Sequence, residues 1–354
     1  METQRLGDNI WLVELPEELT DPDEVPVLAA SAPAAATGRG HILLDFGQVR
    51  TMSGLGASML VKLGALVGRR RQSVLAFGVD DHRRNVLAVT GLDRAMLLCS
   101  TGEEACSRVG VSPSSIPGPR PTASGPRDLS SWARPVMRLG TPHVPPQAIN
   151  RNVRGRRVVG PVDGFGQLWQ KTYQLPIGLT GVTPEDVIRA LKENFPAFQP
   201  PYNRFYPSPA GIQPGEVVLI DSSTPGGPVS TGVMVLHADD RSFTFITPQG
   251  HPESGWVTFT GMAGDNGVTA HILGLARAND PVYEAAFRTV GSGMQTRIWT
   301  HVLSSLAAHL GVPADVTVDI RCVDPGIRWL QAINVWQNAQ IRTLLHTPVR
   351  WLRR

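Results

Sequence analysis

The sequence predicts two folded bodies in series: an α/β layer domain, then an α+β domain with an antiparallel sheet and a long late helix. Three observations point there. Strand-like and helix-like segments alternate over the first 110 residues, the signature of a layered α/β fold. A stretch dense in Pro, Ser and Gly, Val111 to Pro135, has no apolar period and reads as a linker. After residue 160, β-rich segments separated by turn signals precede one long helical pattern. The 354 residues suffice for two domains, each with its own core.

In the first body, NIWLVEL is a strand candidate and DPDEVPVLAASAPAAA a helix with an acidic start, broken at Pro33. HILLDF is a short buried strand. Beyond Ser53, the residues Leu55, Met59, Leu60, Leu63, Leu66 and Val67 follow a 3.6-residue period. Gly68 and the cations Arg69, Arg70 and Arg71 close that helix where the dipole favours positive charge. SVLAFGV, DDHRRNVLAVTGL, AMLLCS and TGEEACSRV continue as strand, helix, strand and short helix.

In the second body, GFGQLWQKTYQLPIG is extended. TPEDVIRALKENF begins a helix with Thr183 as N-cap, Pro184 in the first position and two acids in the first turn. GEVVLID, GPVSTGVMVLHA, RSFTFITP, GWVTFTGM and GVTAHILGLA are strands. Asp280 and Pro281 start the long helix, VGSG weakens its middle, and Gly311 and Pro313 end it. The boundaries expected are 1–110, a basic linker 111–159, 160–320, and a basic amphipathic tail 321–354.

Composition narrows the functions. At 42% hydrophobic and 18% charged the chain reads as soluble and globular, with no apolar run long enough to span a bilayer and no signal-peptide core. Cys99, Cys106 and Cys322 are widely spaced, which fits a reducing cytoplasm and gives no metal or disulfide framework. The net charge of +3 is uneven: −3 over 1–110, +7 over 111–160, −6 over 161–320 and +5 over 321–354. Both folded bodies are acidic, which argues against nucleic acid as a partner.

Ser53 stands between a strand and a helix, where it serves either as N-cap or as a modification site. The run from HILLDF through TMSGLGASML to VTGLDRAMLLCSTGEEA resembles STAS domains, the fold of bacterial anti-sigma-factor antagonists. Gly54, Leu55 and Gly56 match the family's helix opening, and Thr90, Gly91 and Leu92 match its later turn. Thr51 and Met52 stand where the family pattern has Asp-Ser. The resemblance implies that Ser53 is phosphorylated, that Thr51, Met52, Ser53, Gly54 and Leu55 meet a partner, and that the partner is an anti-sigma factor with serine-kinase activity.

The element order after residue 162 resembles the helix-grip fold of START-like lipid-transfer and polyketide-cyclase proteins. That resemblance implies an apolar cavity for a hydrophobic small molecule or lipid, with Glu216, His237, His251 and His271 as polar candidates near it. No combination of nucleophile, base and orienting group is evident, so no catalytic residues and no cofactor are expected. A carrier or cyclase-like enzyme with a STAS docking module is the alternative class. The tail, with Trp329, Trp336 and Trp351 among scattered arginines, is expected either to meet anionic lipid as a peripheral membrane contact or to pack on the second body.

Overall fold

The computed structural model describes residues 3–20, 40–68, 73–116, 128–149, 151–264 and 267–351. The helix expected over Asp21–Ala36, the Arg69–Arg71 run, and Arg120 and Arg127 of the linker lie outside the described residues. The chain divides into two units, Met1–Ser130 and Ser131–Arg354.

In the first unit, β1 (Thr3–Gly7), β2 (Ile10–Glu14), β4 (His41–Asp45), β6 (Ser73–Phe77) and β7 (Leu97–Leu98) form one sheet in that order. Only the β1–β2 pairing is antiparallel; the rest are parallel. Ile42, Leu43 and Leu44 are fully buried in succession, because a parallel strand covered on both faces needs no polar alternation. A second, two-stranded parallel sheet joins β3 (Glu18–Leu19) to β5 (Thr51–Met52).

Three helices cover the sheet. Helix α1 (Gly54–Gly68) is apolar and buried over most of its length. Helix α2 (Asp81–Thr90) starts at Asp80, whose carboxylate accepts the Arg83 N–H at 2.8 Å, and stops at Gly91 in the left-handed region. Helix α3 (Gly102–Val109) starts at Thr101, whose hydroxyl accepts the Glu104 N–H at 3.1 Å.

The second unit is built on one large sheet. β8 (Val158–Val159) pairs, off the main path, with the strand Ser242–Pro248. Along the main path run β10 (Asn203–Tyr206), β11 (Val217–Thr224), β12 (Gly227–Ala238), β13 (Ser242–Pro248), β14 (Glu253–Gly264), β15 (Gly267–Ala278), β9 (Leu168–Ile177) and β16 (Thr317–Asp324), every neighbour antiparallel. Helix α4 (Pro184–Asn194) opens with a reciprocal cap between Thr183 and Asp186. Helix α5 (Pro281–Ala286) is capped by Asp280 and runs through a π-turn, Phe287–Gly291, into α6 (Ser292–Leu310). The VGSG weak point is therefore a change of helix type. A 3₁₀ segment, Trp329–Gln337, and α7 (Ala339–Trp351) complete the unit.

The expected linker is shared between the units. Ile116 packs against the core of the first. In the second, Ala133 N–H donates to Leu236 O at 2.8 Å, Ala238 N–H donates to Ser131 O at 2.9 Å, and Val153 is fully buried. The expected boundary at residue 320 falls inside β16. The tail is not one amphipathic helix: α7 packs on β12, with Ser230 N–H donating to Thr343 Oγ1 at 3.1 Å. Buried Arg277 ties the unit's connections together. It donates to the carbonyls of Pro161 (3.1 Å), Gly166 (2.7 Å) and Gly326 (2.9 Å) and pairs with Asp324.

Candidate functional sites in the two units

The first site is the β5–α1 loop. Ser53 is 3% exposed. Its hydroxyl accepts the Leu55 N–H at 3.2 Å, and its own N–H donates to Leu19 O at 3.1 Å. It is the N-cap of α1, a buried one. Met52, Gly54 and Leu55 are also buried, and Thr51 is half-buried with no partner for its hydroxyl among the described residues. The five residues expected to meet a partner are thus under cover. The cover is β3, laid alongside β5, with Arg50 N–H and Thr51 N–H both donating to Glu17 O. Asp128 closes it further: one carboxylate oxygen accepts the Met52 N–H at 2.9 Å, and the other lies 2.9 Å from His82 Nε2. Gly56 has a structural reason here, because a Cβ at that position would lie 2.3 Å from Leu19 O. The glycine lets β3 approach this closely.

The second site is a cavity of about 460 Å³ between the concave face of the sheet and the α5–α6 helix. Its walls are mainly apolar: Phe205, Ile220, Val229, Val233, Phe245, Trp256 and Val257 from strands, and Phe287, Met294, Ile298 and Trp299 from the helical side. Beside it, Phe195, Phe205, Phe243, Phe245 and Phe259 pack mostly edge to face, and Trp299 meets Phe259 at 5.3 Å between ring centres. Phe205 and Phe245 also line a groove of about 690 Å³ under α4, whose other walls include Glu185, Arg189, Lys192, Glu193 and Asp240. We favour the smaller cavity as the binding site, because its walls are mainly apolar and two of its lining residues carry buried polar atoms without partners among the described residues.

Those atoms are Thr231 Oγ1 and Trp299 Nε1, on residues 3% and 7% exposed; neither has a hydrogen-bond partner among the described residues. A buried donor left unmatched costs about 1–3 kcal/mol. Glu253 and Gln295 line the cavity, and a polar chain runs from them to Lys171. Lys171 Nζ donates to Gln295 Oε1 at 2.5 Å, and Gln295 Nε2 donates to Glu253 Oε2 at 2.8 Å. Burial lowers the Lys171 ammonium, with Glu253 opposing, and raises the Glu253 carboxyl, with Lys171 opposing. His251 Nδ1 faces the Glu253 backbone, 3.0 Å from its N and 3.1 Å from its O, and burial pushes the imidazole down to about 4.

Of the four polar candidates for this cavity, His251 lines it and three do not. His237 stacks obliquely on Trp132 at 4.8 Å, because a bulge between Val235 and His237 turns it away from the core face. His271 lies between Ala270 and Ile272, both core residues, so strand alternation points it to the opposite face. Glu216 sits in the turn before β11, where its N–H donates to Gln213 O at 3.0 Å. Thr231, Trp299, Gln295, Lys171 and Glu253 were not singled out from the sequence; only the strand parity shared by Glu253, Val257 and Phe259 would have pointed to one of them.

The family model described as Mlab, STAS domain, matches residues 3–99. No curated protein matches the chain. Among solved structures, the di-domain ARO/CYC StfQ from the steffimycin biosynthetic pathway is similar at 13% identity over 43% of this chain, with a TM-score of 0.32. The match covers 54% of StfQ, so the chain spans about half of that protein's length. A putative anti-sigma factor antagonist from Thermotoga maritima matches at 15% identity over 30% of this chain and 92% of its own, with a TM-score of 0.27. KanY matches at 16% identity over 41% of this chain and 99% of its own, with a TM-score of 0.33. Likenesses this distant say nothing of function. The first unit is a STAS-like α/β region, and the second, a large antiparallel sheet with late helices, is helix-grip-like. Among the described residues no helix is long and apolar enough to cross a membrane.

Proposed function

We propose that the chain is a regulatory protein whose STAS-like unit docks a partner of the anti-sigma kind and whose second unit takes an apolar small molecule into the cavity. One observation carries the ligand half: a mainly apolar cavity is lined by two residues, Thr231 and Trp299, whose buried polar atoms have no partner among the described residues. The reading takes the ligand to have an apolar body and a hydrogen-bond acceptor, such as a carbonyl, that meets the Thr231 hydroxyl or the Trp299 indole N–H once the side chain turns towards it. In the docking half, the partner is a serine kinase and Ser53 its target. That requires β3 and Asp128 to lift first, since β3 pairs with β5 and Asp128 holds Met52 beside the serine.

The test is displacement of a fluorescent fatty-acid probe from the full chain by palmitic acid and by a hydroxyanthraquinone. Binding of either that Trp299→Phe and Thr231→Val weaken supports the reading; no saturable binding refutes it. The alternative, a cyclase-like enzyme, has one observation of its own: Glu253 lines the cavity with its carboxyl raised by burial, and Gln295 links it to Lys171. Turnover of a polyketide that Glu253→Gln abolishes without loss of binding would establish it.

A further inference from the structure

The 3₁₀ segment Trp329–Gln337 is amphipathic with its faces reversed. A 3₁₀ helix has three residues per turn, so positions three apart share a face. Asn334 and Gln337 face the unit: Asn334 Nδ2 donates to Asp163 O at 3.1 Å and Asn279 O at 2.9 Å, and Gln337 Oε1 accepts from Arg156 Nη1 at 3.4 Å. Leu330, Ile333 and Trp336, also three apart, are 91%, 69% and 80% exposed. Trp329, on the flank, is 74% exposed although one ring edge meets Phe165. A helix on a protein surface ordinarily turns its apolar stripe inward.

This is not a frayed end. Arg328 N–H donates to Phe165 O at 2.8 Å before the segment, and Ala339 N–H donates to Gly250 O at 2.8 Å after it. Gly250, at φ +87°, admits Gln337 so closely that a Cβ there would lie 2.0 Å from its carbonyl oxygen. The unit holds the segment firmly with its apolar row outward.

We propose that this row inserts into an anionic membrane surface. Charge selects that occupant. Residues 325–354 hold five arginines and no Asp or Glu. Arg328 and Arg342 bond to neutral acceptors, the Val162 carbonyl and Asn152 Oδ1, and Arg156 bonds to Gln337, so their charges are not cancelled there. Of the nearby carboxylates, Asp324 is paired with Arg277, while Asp163 and Asp280 accept from neutral donors and keep their charge on the unit's side of the segment.

Size points the same way. The row is roughly 12 Å long at about 2 Å per residue. Two tryptophans, one Leu and one Ile make up this narrow apolar row. A single projecting row with indole rings and flanking cations suits the headgroup boundary.

The test uses the full chain with vesicles of phosphatidylcholine alone and with a one-third share of phosphatidylglycerol. We expect flotation with the anionic vesicles, a blue shift of tryptophan emission, and weakening by salt. Leu330→Ser with Trp336→Ser should lower partitioning by at least about tenfold with an unchanged melting temperature, because both side chains lie outside the core. Arg328→Gln with Arg342→Gln should lower the preference for anionic lipid. No partitioning onto either vesicle, or equal partitioning of the Leu330/Trp336 variant, overturns the proposal. So does a dimer in light scattering that the same variant dissociates, which would assign the row to a protein interface.

Discussion

Replacing Thr231 by valine asks whether the cavity wall is built for a ligand or for the fold. Valine keeps the shape and removes a hydroxyl that has no partner among the described residues. In a side chain that merely packs, a polar atom buried without a bond is a loss of about 1–3 kcal/mol, so deleting it should stabilise the ligand-free protein by about 1 kcal/mol. For a unit the size of Ser131–Arg354, that raises the melting temperature by about 2–4 °C. The same change should weaken a carbonyl-bearing ligand about tenfold, equivalent to about 1.4 kcal/mol. Stability and binding thus move in opposite directions. Urea unfolding of the free variant and a titration with the hydroxyanthraquinone measure the two. A variant less stable than the parent by 1 kcal/mol or more would mean the hydroxyl serves the fold, and Thr231 would drop out of the site.

Arg277→Met should destabilise the second unit by about 3–5 kcal/mol, because it leaves Asp324 and three carbonyls without their shared donor; urea unfolding measures it. Gly56→Ala should push β3 away from α1, since its Cβ meets Leu19 O at 2.3 Å, and hydrogen exchange at Ser53 and Leu55 should then accelerate. Ser53→Ala should cost about 1 kcal/mol through the lost cap, read by urea unfolding of the first unit. His251 has a folded value of about 4, below its ordinary 6.5, so it takes up its proton later in the folded state than in the unfolded chain. Stability is therefore lost as pH falls from about 6.5 towards 4, by on the order of 3 kcal/mol at most, and is flat above that window. Glu253, raised, slopes the other way, so the comparison of parent with His251→Gln at pH 7 and pH 4.5 isolates the histidine; an identical pH dependence in both would refute it.

Periodicity and capping chemistry made much of this fold legible. Thr183-Pro184 and Asp280-Pro281 mark α4 and α5 where the structure has them, because a cap is a local hydrogen bond written in adjacent residues. Segments held by scattered long-range bonds were not legible. Residues 131–159 have no period, since they attach through single contacts such as Ala133 to Leu236. The cavity was harder still. Histidines drew attention by their chemistry, yet one bulge decides His237 and strand parity decides His271. The face of β15 that looks inward cannot be read from its residues, because Leu273 and Leu275 on the other face are buried as well.

The covered serine and the exposed row reverse what their sequences suggest, for one physical reason. A glycine-flanked serine suggests access, and an apolar repeat suggests a core, only while the neighbouring chain is left out. Met52 is separated from Asp128 by 76 positions, and Asn334 from Asp163 by 171. These distant bonds decide which side of each segment meets solvent. In the first unit they hold closed a loop whose resemblance implies that a kinase reaches it, so access there depends on releasing β3 and the Asp128 contacts. In the second unit they hold outward a row that local hydrophobicity would turn inward. Two of the bonds that fix this orientation come from Asn334, so Asn334→Leu is the informative change. It removes the inward polar anchor and places an apolar residue on the segment's inward face, which should let the row roll against the unit and bury Leu330 and Trp336. Tryptophan quenching by iodide should then fall. Quenching equal to that of the parent would mean the backbone bonds at Arg328 and Ala339 fix the orientation without Asn334.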